Sequence, residues 1–513
     1  MTTPLTESLW TVSQRSTYPS LHADAAFDVV VIGAGVTGLT AALKLVEEGR
    51  SVAVLEARTV AGGVTGSTTA HLTEAIDARY AKIEASFGRP AAELVGRTSR
   101  AAIDHIATRI VELGIDCDWK RVPGYLYTER TDERSALVAE LDAARHAGCA
   151  VTMDAPELPM PFEIVAALRF ENQARLNAVA YVEGLARAAV ARGVQIFEHS
   201  RVVDLDEGDG VTVSTEHGAK LSARAVFCAT HVPLNLIFLQ TKLAHYQSYV
   251  AAFSGIEGSM EDALFWDTAE PYHYIRRATV GGRGYLIVGG EDHKTGEQER
   301  TQVPFERLLS YARANFGTDR PDYHWSAQVV ESVDGLPFIG RNSASTQVYV
   351  ATGFGGNGIT FGTAGALLVA DLILGRVNPA ATLFDATRMK ASAAFRFVKE
   401  NKDLPLHLVA SLLQPAEVQS TKDIAPDQGR IMKIDGQRLA VYRDRSGALS
   451  AVSAVCTHMG CLVAFNEAER SWDCPCHGSR FTVEGEVIDG PALHCLKKCP
   501  IAEDDESEAV RAH

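Results

Sequence analysis

The first clear pattern in the chain is the continuous apolar run Val29–Ile32, which suits a strand buried on both faces. Leu39, Leu43 and Val46 then recur at helical spacing and Gly49 stops the helix. The run "SVAVLEA" supplies a second buried strand that ends in Glu56. Between first strand and helix stand Gly33, Gly35 and Gly38 at GxGxxG spacing, so residues 27–58 predict strand, tight turn, helix and strand. Residues 91–115 follow helical spacing, and "GTAGALLVADLILG" at 362–375 predicts a buried helix. That segment carries Asp371 and is shorter than the ~20 residues a membrane span needs. Past residue 428 the texture changes to short alternating runs broken by "DG" and "RSG", the pattern of antiparallel strands and tight turns.

A length of 513 residues predicts two or three domains. A net charge of -15 argues against nucleic acid and against an anionic membrane surface, both of which demand basic patches. The N-terminal residues show no basic region followed by an apolar core, which predicts a cytoplasmic location. Nine cysteines are present and six of them follow residue 455. In a reducing compartment such a cluster is more often a ligand set than a group of structural disulfides.

The three glycines of the first unit allow, in order, the tight turn, close approach of the backbone to a pyrophosphate, and close packing of helix on strand. The anion then lies at the positive end of the helix. Glu56 can accept hydrogen bonds from a ribose hydroxyl. A second glycine-rich segment, "VATGFGGNGITFGTAG" at 350–365, could close on the same cofactor and favours FAD over NAD.

With the segments "LNAVAYVEGLARAAVARGVQIFEHSRVVDL", "VFCATHVP", "IVGGEDHKTG" and "DGLPFIGR", the chain from about 27 to 385 resembles FAD-dependent amine and amino-acid oxidoreductases of the D-amino-acid oxidase type. The resemblance implies a Rossmann-type α/β FAD-binding domain with an interleaved α+β substrate domain. It implies cofactor contacts from Gly33, Gly35, Gly38, Glu56 and Arg58, from Thr65 and His71 beside the flavin, and from Val202 at the adenine. Gly353, Gly355, Asn357, Gly358 and Thr360 belong to the final flavin-binding segment. His71 does not align with the flavin-attached histidine of some relatives, so a noncovalent role is favoured over a covalent bond. "EPYHYIRR" at 270–277 is placed over the flavin face, where Tyr272, Tyr274, Arg276 and Arg277 could orient a carboxylate or an amine. Strand alternation alone would put half of them in solvent.

"CTHMGC" at 456–461 and "CPCHGS" at 474–479 bring together two cysteines and two histidines, Cys456, His458, Cys474 and His477. This is the donor set of a Rieske 2Fe-2S centre. A Cys2His2 zinc site more often pairs like with like. The boxes resemble Rieske proteins nearly letter for letter, which implies a small all-β domain and a disulfide between Cys461 and Cys476. Ser479 matches a residue that hydrogen-bonds a cluster sulfur, while Phe481 stands where high-potential relatives carry a tyrosine donor, which predicts a lower potential. Cys495 and Cys499 lie outside both boxes.

The expected organisation is an N-terminal tail at 1–26, the FAD-dependent oxidoreductase at 27–385, a helix and linker at 386–424 and the Rieske domain at 425–505. The expected activity is oxidation of a small-molecule amine or amino acid by hydride transfer to flavin, with one-electron exit through the cluster to a carrier protein. Two alternatives stay open: an oxygen-using amine oxidase whose Rieske domain is structural or sensing, and a reductase or electron-transfer partner fed through the cluster.

Overall fold

The computed structural model describes residues 8–12, 15–154, 158, 160–234, 237–256, 260–298, 300–342, 345–390 and 417–501. Most of the segment expected as helix and linker therefore lies outside the described residues.

The apolar run and glycine turn form strand β1 (Ala25–Ile32), helix α1 (Val36–Glu47) and strand β2 (Val52–Leu55). All four residues of β2 are buried, as a strand covered on both faces requires. β1 pairs in parallel with β2 and with Lys220–Cys228, which pairs in parallel with Val348–Thr352. The C-terminal ends of these strands share one edge, the usual position for a ligand in an open α/β sheet. Behind that edge Gly358–Ile373 packs on α1. The run Gly355–Ile373 has the length and hydropathy of a membrane span, yet 67% of it is buried inside the fold, as befits a core helix.

A second, nine-stranded sheet holds the interleaved domain. Its strands include Leu243–Ser254, His273–Val280, Arg283–Lys294 and Tyr323–Ser332. The expected N-terminal tail is anchored where it is described: Trp10 is fully buried and its Nε1 donates to Thr68 O at 2.6 Å. Past the linker come two small antiparallel sheets, one from Gln428–Ile434, Gln437–Arg443 and Leu449–Ser453, the other from Ala464–Asn466, Ser471–Asp473, Arg480–Thr482 and Val487–Asp489. The molecule is thus an α/β unit with an interleaved α+β sheet domain, followed by a small all-β unit, as the resemblance implies.

The all-β unit is pressed onto the second sheet. Ala468 N donates to Thr301 Oγ1 at 3.0 Å and Gln247 Nε2 to Glu469 Oε1 at 2.7 Å. A Cβ added to Gly296 would lie 2.6 Å from Pro475 N, so only glycine lets the two surfaces close here.

Candidate functional site

A cavity of about 760 Å³ opens at the strand edge of the first sheet and runs along the second. Gly33, Gly35, Glu56, Arg58, Thr65, His71 and Val202 all wall it. The turn is built for close approach. Gly33 has φ +105° and a Cβ there would meet Ala229 O at 2.6 Å; one on Gly35 would meet Thr65 Oγ1 at 2.8 Å. Gly38 faces away from the lumen, and a Cβ would fall on Gly33 O. Glu56 accepts from Ala34 N at 2.9 Å and from Arg58 N at 2.8 Å, so its carboxylate is aimed before any ligand arrives. A bare glycine turn at the start of α1, an aimed carboxylate and a cavity of this size together fit FAD.

The second glycine-rich segment enters through Gly355, Gly356, Gly358 and Ile359. Asn357 and Thr360 support it from behind the wall. Asn357 Oδ1 accepts from Asp77 N at 3.0 Å, its Nδ2 donates to Ala75 O at 3.0 Å, and Thr360 Oγ1 donates to Thr73 O at 3.3 Å. Gly353 turns the chain at φ +74°. His71 is held by Thr69 Oγ1 at 3.1 Å, and burial, with Arg276 nearby, lowers it to about 3, so the ring is neutral.

Tyr272 and Tyr274 wall the cavity, and the Tyr274 hydroxyl lies 2.9 Å from Ser248 Oγ. The two arginines of that segment are used elsewhere. Arg276 is fully buried, donating to Ala70 O at 2.7 Å and Leu176 O at 3.1 Å beneath Trp10. Arg277 is outside the residues that wall the cavity and donates to Met260 O at 3.1 Å. Asp77, Glu270 and Glu331 face the lumen with Arg79 and Lys82. Burial lifts the Asp77 carboxyl to about 6 against the opposing backbone N–H of Gly356. Beside Ser248, Asp292 is lifted by burial to about 7.

In the all-β unit the two boxes form facing loops. Gly460 N donates to Cys456 O and Gly478 N to Cys474 O, both at 3.0 Å. Cys456 is lowered to about 7, chiefly by a hydrogen bond from Cys474. The Ser479 hydroxyl also supports the Cys456 thiolate. The rings of His458 and His477 stand 4.9 Å apart, and burial lowers both to about 4, leaving neutral imidazoles able to bind metal. His477 is buried with neither ring nitrogen hydrogen-bonded. His458 Nε2 is taken by Gln240 Oε1 at 2.8 Å, which leaves Nδ1 for a metal. Two sulfurs and two free imidazole nitrogens fit a Rieske 2Fe-2S cluster. Cys461 and Cys476 form a disulfide that ties the loops, with Cα atoms 6.5 Å apart.

The histidine edge faces the second sheet, at its strands Leu243–Ser254 and Tyr323–Ser332. Gly478 O accepts from Gln328 Nε2 at 2.8 Å, and Gln328 itself walls the cavity. A Cβ on Gly478 would meet His245 Cβ at 2.6 Å. Pattern reading missed Gln240, His245, Gln328 and Asp489 because nothing in their local sequence marks them.

The fold and these two sites define a flavin-dependent oxidoreductase joined to an iron–sulfur unit. Residues 28–372 match the model of the FAD dependent oxidoreductase family and residues 414–500 that of the Rieske [2Fe-2S] domain. The chain belongs to the FAD dependent oxidoreductase family and carries a C-terminal Rieske domain. It is 32% identical over 499 residues to a Bacillus subtilis protein, YhfW, named for a Rieske 2Fe-2S centre, covering 96% of this chain and 97% of that one. It is 25% identical over 381 residues to the gamma-glutamylputrescine oxidoreductase of Escherichia coli, covering 70% of this chain and 86% of the relative. Glycine oxidase from Geobacillus kaustophilus superposes with a TM-score of 0.60 at 20% identity, covering 71% of this chain and 99% of that one.

Proposed function

We propose that the chain oxidises a small amine or amino acid at the flavin cavity and sends the electrons one at a time through the Rieske centre to a carrier protein. The observation that carries this reading is the Gln328–Gly478 hydrogen bond, which joins the cavity wall to the residue after ligand His477. An amine substrate is further supported by the name of the Escherichia coli relative and by the lumen carboxylates Asp77, Glu270 and Glu331, which outnumber the cations Arg79 and Lys82 there.

FAD, when bound, supplies the hydride acceptor for a C–H next to nitrogen. The chain's residues do the rest. Tyr272 and Tyr274 shape the pocket, and Asp77, raised to about 6, is suited to take a proton from a substrate ammonium near neutral pH. With FAD bound, the neutral amine would lose hydride to give an iminium ion, which water would hydrolyse to a carbonyl compound and a free amine or ammonia.

The test is anaerobic mixing of the purified protein with a panel of amines and amino acids, read by visible absorbance and EPR, beside Cys456→Ser. Flavin bleaching followed by a Rieske signal absent from the variant is expected. Flavin bleaching with an oxidised cluster, and peroxide once air is admitted, would replace this reading with that of an oxygen-using oxidase.

A further inference from the structure

We propose that the Rieske unit supplies part of the FAD-binding site: residues 487–490 close the dinucleotide end of the cavity, with the Asp489 carboxylate accepting from a cofactor hydroxyl. This rests on reading the cavity as the FAD site. Its wall crosses from one unit to the other, with Arg58, Arg201 and Val202 from the first and Val487, Ile488 and Asp489 from the second. Arg201 ties the two sides, its Nη2 donating to Val487 O at 3.0 Å.

Asp489 is held in place without being used up. Its Oδ1 accepts from Gly490 N at 2.8 Å, and its Oδ2 faces His231 Nδ1 at 3.6 Å, an ion-pair contact when that ring is protonated that leaves the oxygen's hydrogen-bond positions open. Burial works to raise its pKa, and His231 with Arg58 outweigh that and hold it at about 2, so it stays an acceptor. An anion repels phosphate and accepts from donors, and at the end walled by Glu56, Arg58 and Val202 we assign it a hydroxyl of the ribose or ribityl chain rather than the adenine amino group. The aim of this loop is set by the cluster loop beneath it. Gly490 has φ +94°, and a Cβ there would meet Ser479 Cα at 2.6 Å. FAD binding and domain docking therefore share contacts, and each stabilises the other by the same factor.

The test uses the full-length holoprotein. FAD release is followed by flavin fluorescence after dilution in the wild type, Asp489→Ala, Asp489→Asn and Arg201→Ala, with Rieske EPR showing that the cluster unit is folded. Release from Asp489→Ala should be faster by on the order of tenfold, the effect of losing one hydrogen bond to a charged group. Arg201→Ala should change it in the same direction. In the reverse arm, stripping FAD should speed loss of the cluster to an iron chelator severalfold. Wild-type release rates in every variant that keeps its Rieske signal overturn the proposal, as does a chelation rate indifferent to FAD. A wild-type chain that takes up no FAD overturns the flavin reading together with this one.

Discussion

Gln328 and Gly478, 150 residues apart, are joined by a 2.8 Å hydrogen bond from the Gln328 side-chain amide to the Gly478 carbonyl. Gln328 stands in the wall of the cavity proposed to hold FAD, and Gly478 follows His477, a proposed cluster ligand. On the proposed reading, this bond joins the cavity wall to the backbone one residue past His477.

Gln328→Leu should slow reduction of the cluster after the flavin has been reduced, as seen by stopped-flow absorbance. The Gly478 carbonyl would also lose its donor, at a cost of about 1–3 kcal/mol in thermal or denaturant unfolding. An unchanged transfer rate would remove Gln328 from the route.

Asp77→Asn should lower the rate of flavin reduction by about a hundredfold, the scale of a lost general base. In the wild type that rate should rise with pH through about 6 as Asp77 loses its proton. The variant should lack this limb of the profile while its flavin spectrum stays the same.

His273 predicts a pH dependence of stability. Burial works to lower its pKa, but Asp267 at 2.9 Å and Glu291 at 3.4 Å outweigh that and raise it to about 9. A histidine raised in the folded state stabilises fully below its unfolded value of about 6.5, and the gain is lost as pH climbs. The melting temperature should fall between pH 6.5 and about 9, and His273→Leu should flatten that decline.

Phe481→Tyr should raise the cluster potential within the Rieske window of about -150 to +300 mV, because a hydroxyl can donate to a cluster sulfur. Phe481 is fully buried in the apolar cluster that also contains Cys456 and Cys474. Redox titration followed by EPR reads the shift, and no rise would contradict the sulfur-bonding account.

What was legible in the sequence was chemistry carried by near neighbours. The glycine turn and Glu56 fall within one strand–helix–strand stretch, and each cluster box spans six residues, so spacing alone defines them. The segment at 270–277 was harder. Tyr272, Tyr274 and Arg276 share strand parity, but Arg276 reaches past the lumen to the carbonyls of Ala70 and Leu176, and Arg277 has the opposite parity. Gln240 was out of reach for another reason. Its partner His458 is 218 residues away, and a glutamine before a loop has no pattern until the two units meet.

Gly296, where the surfaces allow no side chain against Pro475, has a consequence for motion. A carrier on a tether must sweep through solvent to deliver its electron, so its delivery slows as the medium thickens. A centre seated this closely has no stroke to make, and glycerol or sucrose should leave its internal electron traffic as fast as in water.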